Sequence, residues 1–463
     1  MVHSFELNGK YISLDVNSGC IHVVDKLSYD MINAIENKIN DDGFKPTEAV
    51  PEFIKEGFAG ECDASDIAEA YSEIYELYKN ETLFSDDVYA DIAVNMKKQS
   101  PVKALCLHIS HDCNLRCKYC FADEGAYHAQ RELMSAETGK RAMDFLIKNS
   151  GKRRNLEVDF FGGEPLMNFD AVKEIVEYAR EQEKIHDKNF RFTITTNGLL
   201  LNDDKLEYIN KEMSNIVLSI DGRKEVNDRV RYRADGSGSY DQIVPKFLKV
   251  AESRNQDNYY VRGTFTKYNL DFSNDVLHLA DLGFKQTSVE PVVCGPDEDY
   301  ALSEEDLPTI YKEYEKLVEE YLKRRKEGRG FNFFHFMIDL EQGPCVIKRL
   351  SGCGAGCEYL AVAPNGDIYP CHQFVGTPEY KMGNILDGGE IDKDIRNTFE
   401  SCNVYTKPKC RDCFAKFYCS GGCMANACLL SGDINRPHEI SCDLERKRVE
   451  CSLYAKAVEA EWD

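Results

Sequence analysis

Cys113-Asn114-Leu115-Arg116-Cys117-Lys118-Tyr119-Cys120 sets three cysteines in a C-x3-C-x2-C spacing on one short loop. A cubane iron-sulfur cluster has four irons, so three thiolates leave one iron open to bind a small molecule and pass it an electron. A cluster closed by four thiolates mostly carries electrons. A zinc site built on the same cysteines would need a fourth ligand.

Outward from that loop, residues 100 to 295 alternate strand-like and helical stretches. Strand-like runs fall at 104–109, 157–161, 192–195, 216–220, 260–265 and 288–293. Six strands separated by helices suggest a parallel, partly closed βα barrel with its active face at the strands' C-terminal ends. Cys113 then follows the first strand and Gly162-Gly163-Glu164 the second, on one rim. Asp170 is expected to cap a helix whose apolar face is Val172, Ile175, Val176 and Ala179. A long helix is predicted over 303–327, acidic at Glu304, Glu305 and Asp306, basic at Lys323, Arg324 and Arg325, and stopped by Gly328.

Residues 1 to about 90 read as a small α+β unit. Asn8-Gly9 signals a hairpin turn. Short strands are expected at 11–15 and 20–24, and helices near 28–36 and 65–78.

The chain has 463 residues, a hydrophobic fraction of 43% and a formal net charge of −23. This length suggests two or three domains with real cores. Such acidity excludes a nonspecific nucleic-acid binder, which needs clustered basic surface. The N-terminus does not read as a signal peptide and no run of eighteen apolar residues occurs, so a cytoplasmic protein without a membrane span is expected. In that compartment 19 cysteines point to metal ligands rather than disulfides. Seven lie between Cys402 and Cys442 and four between Cys345 and Cys371. This region lacks the apolar periodicity of an ordinary core, so metal is expected to hold it together. His108 and His111 read as packing residues, and Cys20, Cys62, Cys106, Cys294, Cys402, Cys428 and Cys451 as ordinary thiols.

Together the motifs resemble the radical S-adenosylmethionine (SAM) superfamily. Cys113, Cys117 and Cys120 match its cluster ligands and Tyr119 the aromatic position near the adenine. Gly162, Gly163 and Glu164 resemble the motif that meets the methionine amino group. Asn197, Ser219 and Asp221 sit in segments similar to the later SAM-contacting loops, and Arg231 is a candidate for the methionine carboxylate. The cysteines from Cys353 onward resemble the SPASM domain, which implies two auxiliary clusters and three [4Fe-4S] clusters in all. By position, Cys410, Cys413, Cys419 and Cys442 would hold the outer auxiliary cluster and Cys353, Cys371 and Cys423 the inner one. Cys345 is preferred over Cys357 as the inner cluster's fourth ligand, and a substrate thiolate is a third candidate.

The N-terminal unit resembles the winged-helix-like recognition domain of enzymes that modify ribosomally made peptides, which binds a leader segment as an added strand. The implied division is a leader-recognition domain over 1–95, a partial (β/α)6 radical SAM barrel over 96–310, a bridging helix and linker over 311–344 and a SPASM domain over 345–463. The run from Cys345 to Gly356 and Tyr369-Pro-Cys371-His372-Gln373-Phe374-Val375-Gly376 narrows the resemblance to thioether-forming maturases of small cysteine-rich (SCIFF) peptides. The implied cofactors are SAM and the clusters. The implied partners are a precursor peptide and an electron donor such as flavodoxin or ferredoxin. No catalytic side chain is assigned. The alternatives are an anaerobic sulfatase-type maturase, where His372 stands in place of that family's acidic residue, another SPASM peptide oxidase, and a non-enzymatic electron carrier.

Overall fold

A computed structural model describes residues 1–95, 100–128, 130–338, 340 and 346–462. Val2–Leu7 (β1), Lys10–Asp15 (β2) and Ile21–Val24 (β3) form an antiparallel sheet in the order β1-β2-β3. Asn8 and Gly9 turn the first hairpin with φ of 49° and 76°. Helices Lys26–Asp42, Glu52–Phe58 and Ala64–Lys79 close a core of Met31, Ile32, Ile35, Ile54, Ile67, Tyr71 and Ile74. Two of these helices lie where the sequence placed them and run longer. The helix Glu52–Phe58 carried no signal strong enough to be anticipated. The β1 edge reaches the far end of the chain: the His3 ring stacks on Phe414 at 3.5 Å and its Nε2 lies 3.0 Å from Glu450 Oε1.

The main sheet begins with Ala104–Ser110 (β4). Leu115–Cys117 (β5) stands apart from it. Then come Asn155–Gly162 (β6), Asn189–Thr196 (β7) and Met213–Ser219 (β8), the short Arg231–Arg233 (β9), Tyr259–Phe265 (β10), Gln286–Pro291 (β11) and Asn332–Phe333 (β12). β4, β6, β7, β8, β10 and β11 are all parallel and neighbour one another in chain order. Helices connect them, as parallel neighbours require. All six strands coincide with the apolar runs of the sequence. Their alternation is legible in the burial: Leu105, Leu107, Val158, Phe160, Phe192, Ile194, Ile216, Leu218 and Val261 face the helices and are fully buried. The opposite face carries Cys106, His108, Asp159, Thr195, Ser219 and Arg262, and is therefore polar.

Two expectations are corrected. Asn168, not Asp170, precedes the helix Phe169–His186, and no side chain caps it; Asp170 sits in the first turn and pairs with Lys173 at 2.7 Å. The helix expected from Ser303 starts at Leu307 and runs to Lys326. A 3-10 turn over Glu304–Asp306 comes first, closed by a reciprocal box between Ser303 and Asp306.

The cysteine-rich region joins the same sheet. Tyr359–Val362 (β13) pairs in parallel with β4, Ala361 opposite Cys106, and Asp367–Tyr369 (β14) and Gly383–Asn384 (β15) extend it antiparallel. It also has an apolar core of its own, contrary to expectation. Ala355, Ala361, Phe374, Val375, Phe399, Met424 and Ile434 are buried together with Cys106 and Tyr127. These residues are contributed by several short strands, helices and loops, few from each, so no sequence period announces them. The last helix, Glu439–Glu459, packs on Leu307–Lys326. Among the described residues no helix is long and apolar enough to cross a membrane.

Asp159, inside the polar face of β6, is pushed up to about 7 by burial and by Glu157, against a hydrogen bond from Thr193. A carboxyl whose pKa is raised on folding keeps its proton in the native state after the unfolded chain has lost it. Stability therefore falls as pH rises between the ordinary aspartate value and about 7. Asp159→Asn should flatten that slope and raise the urea midpoint at pH 8, a gain on the order of 2–4 kcal/mol. Parallel slopes for the two proteins between pH 5 and pH 8 would contradict the assignment.

Candidate active site

The Cys113–Cys120 loop is fixed by its backbone. β5 pairs with β9, Cys117 opposite Arg231. Asp112 Oδ1 accepts from Cys113 N at 2.8 Å, and Arg116 donates to the carbonyls of Cys113 and Leu115 at 2.6 and 2.8 Å. The loop rests on the turn after β6. Gly163 donates its N–H to Ser110 O at 2.7 Å, and Glu164 N donates to Asp112 O at 2.9 Å. A Cβ on Gly163 would meet Asp112 O at 2.2 Å, and one on Gly162 would meet Ser110 O at 2.3 Å with φ at +122°. Only glycine permits this approach.

Above this floor lies a cleft of about 150 Å³. It is lined by Cys113, Cys117, Cys120, Tyr119, Gly162, Gly163, Asn197, Ser219 and Arg231, which the sequence singled out. Phe121, Phe161, Thr195 and Thr196 also line it. Asn197 Nδ2 lies 3.6 Å from Cys113 Sγ and donates to Asn114 Oδ1 at 2.8 Å. Burial pushes the Cys113 thiol up to about 12, with Glu164 adding, and Cys117 up to about 11, against the pull of Arg231. Thiols held this way keep their protons until a metal compensates the thiolate charge. Three cysteines on one wall and open space before them fit a cluster with a bound small molecule. Among the described residues no three His, Cys, Asp or Glu side chains stand close enough to hold one metal ion.

Glu164 and Asp221 stand behind the cleft and do not line it. Glu164 is fully buried; its Oε1 accepts from Thr196 Oγ1 at 2.8 Å and Leu166 N at 3.0 Å, and its Oε2 from Asn197 N at 2.8 Å. It thereby sets the end of β7. Asp221 is fully buried as well. Tyr119 Oη donates to its carboxylate at 2.8 Å while accepting from Arg231 Nη1 at 2.8 Å, and Thr264 N donates to Asp221 Oδ1 at 3.0 Å. Tyr119, Asp221 and Arg231 thus form one buried network.

Two further groups of thiols lie in the cysteine-rich region. Cys371 is buried, and Cys353 and Cys423 are exposed beside it. Burial pushes Cys371 up to about 12, with Cys423 and Cys353 both adding. Cys357 instead lines a small cavity with Phe399 and Met424. Cys345 lies outside the described residues. Cys410, Cys413, Cys419 and Cys442 form the other group: burial raises Cys442 to about 11, and Cys410 and Cys413 add to it. Cys419 is raised by burial, Glu445 and all three of the others. Between the first loop and Cys371 lies an aromatic wall that the sequence did not reveal. Tyr127 is 2% exposed, stacks on His111 at 4.7 Å, meets His108 in a tilted contact at 4.5 Å, and donates to Gly162 O at 3.2 Å.

Residues 107–265 match the model of the radical SAM superfamily, and residues 353–414 that of the SPASM iron-sulfur cluster-binding domain. The chain thus carries a radical SAM domain followed by a cysteine-rich SPASM-like region. That architecture implies SAM and iron-sulfur clusters as cofactors. Over 375 residues it is 24% identical to the radical SAM cyclopropyl synthase TigE of Paramaledivibacter caminithermalis, covering 74% of this chain and 72% of that protein. It is 25% identical to a cysteine-type anaerobic sulfatase-maturating enzyme of Clostridium novyi, covering 68% of this chain and 86% of the other. It is 28% identical to the mycofactocin maturase MftC of Mycobacterium ulcerans, covering 69% and 83%. The solved structure of native anSMEcpe with bound AdoMet superimposes with a TM-score of 0.65 at 18% identity, covering 78% of this chain and 99% of that one. This is a likeness of fold.

Tyr119→Phe should leave the buried Asp221 and Arg231 each short of one partner. The expected cost is about 1–3 kcal/mol, read as a lower urea midpoint. An unchanged midpoint would mean that the network carries no weight.

Proposed function

We propose that this radical SAM/SPASM enzyme forms an intramolecular thioether, cysteine sulfur to an acceptor carbon, in a ribosomally made cysteine-rich precursor peptide. Cys113, Cys117 and Cys120 hold its first [4Fe-4S] cluster. Tyr119, Gly162, Gly163, Asn197, Ser219 and Arg231 receive SAM, with Glu164 and Asp221 bracing the cradle from behind. Cys410, Cys413, Cys419 and Cys442 hold an outer auxiliary cluster, and Cys353, Cys371 and Cys423 an inner one. The inner cluster's further position goes to Cys345, Cys357 or a thiolate of the substrate. The leader of the peptide adds to the sheet of the N-terminal unit.

The observation that carries this reading is the exposure of Cys353 and Cys423 beside the buried Cys371. An exposed soft-ligand site suits a peptide thiolate. Held by Cys113, Cys117, Cys120 and the residues of the cleft, a cluster and SAM would supply the one-electron chemistry that removes a hydrogen atom from the acceptor carbon. Exchanging one C–H and one S–H for a C–S bond removes two hydrogens. The first would leave in 5′-deoxyadenosine; the second would leave as the thiol proton and one electron, which the auxiliary cluster held by Cys353, Cys371 and Cys423 would accept.

Formylglycine formation from cysteine or serine is the second reading, and the likeness to sulfatase-maturating enzymes favours it. His372 does not exclude it. Burial lowers this imidazole to about 4, with Arg262 adding. It is therefore neutral at ordinary pH and can accept a proton as a carboxylate does.

Anaerobic turnover of the peptide encoded beside this gene separates the two. Thioether formation should lower the peptide mass by two hydrogens and leave one cysteine fewer to alkylate, with no carbonyl. An aldehyde trapped by hydrazide would replace the proposal with formylglycine formation. A peptide of unchanged mass would sink both. Cys113→Ala should reduce 5′-deoxyadenosine to background; an electron carrier would make none in either form.

A further inference from the structure

The polar face of the main sheet has one more feature at the level of the cleft. Arg262, on β10, is paired in register with Ser219 of β8 on one side and Ser288 of β11 on the other. Ser219 lines the cleft. By the alternation of β10, Val261 turns to the helices and Arg262 to the polar face. Its side chain is 57% exposed although the strand lies inside the sheet. Its guanidinium has no hydrogen bond to any described residue; its one ion pair is to Glu290 Oε1, at 3.7 Å. An exposed arginine on the polar face, beside a cleft-lining serine and without a hydrogen bond to the described residues, offers binding capacity.

Glu290 holds it there. That carboxylate also lies 3.2 Å from His335 Nε2 and 3.5 Å from Arg448 Nη1. Arg448 comes from the last helix and is braced by Glu445 and by His335 Nδ1 at 2.8 Å. Burial would raise Glu290, but His335, Arg448 and Arg262 overcome it and keep it ionised. Among the described residues Arg262 is thus paired with Glu290 alone, and no hydrogen bond occupies its donors. On one flank Phe334 is 54% exposed and meets Tyr260 edge-on at 5.8 Å, an apolar shelf for a chain lying across β10. Arg262 therefore stands on the polar face, one strand from the cleft-lining Ser219.

We propose that Arg262 anchors the peptide substrate by a paired, charge-assisted contact to a carboxylate, either an acidic side chain of the segment being modified or its C-terminus. This rests on the reading of the chain as a peptide-modifying enzyme. The anchor fixes which stretch of peptide lies over the cleft, so Arg262 is a positioning residue.

The test uses reconstituted holoenzyme under anaerobic conditions and the leaderless core of the peptide encoded beside the gene, fluorescein-labelled. Three forms are compared: native, acidic residues changed to amides, and C-terminal amide. Arg262→Gln should weaken binding of the native form about tenfold or more. One of the two neutralised forms should show the same loss on the unaltered enzyme and no further loss on Arg262→Gln. That form names the carboxylate. Arg262→Lys, which keeps a point charge, should recover part of the affinity, and SAM cleavage without peptide should be unaltered in both variants. Native affinity in Arg262→Gln, losses that add independently, or a fall in peptide-free SAM cleavage would each overturn the proposal. Should Arg262→Gln fail to fold, Arg262→Lys with unaltered affinity for the native form would overturn it. Binding is read without turnover, so an unmodified peptide would count against the thioether reading and leave the anchor decided on its own.

Discussion

The active face depends on one backbone contact, the packing of Gly163 against the carbonyl of Asp112. That carbonyl also receives the N–H of Glu164, while Gly163 bonds Ser110 O, so two successive peptide groups after β6 are tied to the segment between β4 and the first cysteine. No side chain fits in the gap, as the 2.2 Å approach of a Cβ on Gly163 makes plain. Cys113 is therefore held by main chain on both sides, and its neighbours inherit that placement. Cys117 is fixed by the β5–β9 pairing and Cys120 by the turn that returns its N–H to Cys117 O at 3.1 Å.

Behind this contact, two buried acids do structural work. Glu164 orients the end of β7 and Asp221 fastens Tyr119 and Arg231 to the end of β8. Each acid is costly to bury and is satisfied by several donors, which makes the rim rigid rather than adaptable. Rigidity suits a cofactor cleft, where donor positions must be set before the small molecule arrives. Arg262 contrasts with this: it is exposed and, among the described residues, paired only with Glu290.

The six parallel strands were legible because each is an apolar run bounded by turn residues, and the rim motifs because glycines and cysteines fall just after strand ends. Tyr119, Asn197, Ser219 and Arg231 line the cleft as their motifs suggested. Glu164 and Asp221 were expected at the cofactor; neither lines the cleft, and each is buried with its oxygens bonded to neighbours. A motif reports that a carboxylate belongs to a site, but it does not say which neighbours will use up its oxygens. The core of the cysteine-rich region escaped notice because Ala355, Phe399 and Met424 come from three separate short segments, each giving too few apolar residues to set a period. Arg262 escaped for a different reason: one arginine in a strand gives no local sign of what faces it.

The parallel union of β13 with β4 has a bearing on how the molecule can be handled. It makes the two cysteine-bearing regions parts of one hydrogen-bonded fabric with no hinge at their seam. Excising the C-terminal third would strip the flank of Ala104–Ser110 and leave its ladder groups bare, an invitation to sticky self-association. The halves are thus unsuited to life as separate soluble fragments, however cleanly the two sequence motifs divide on paper.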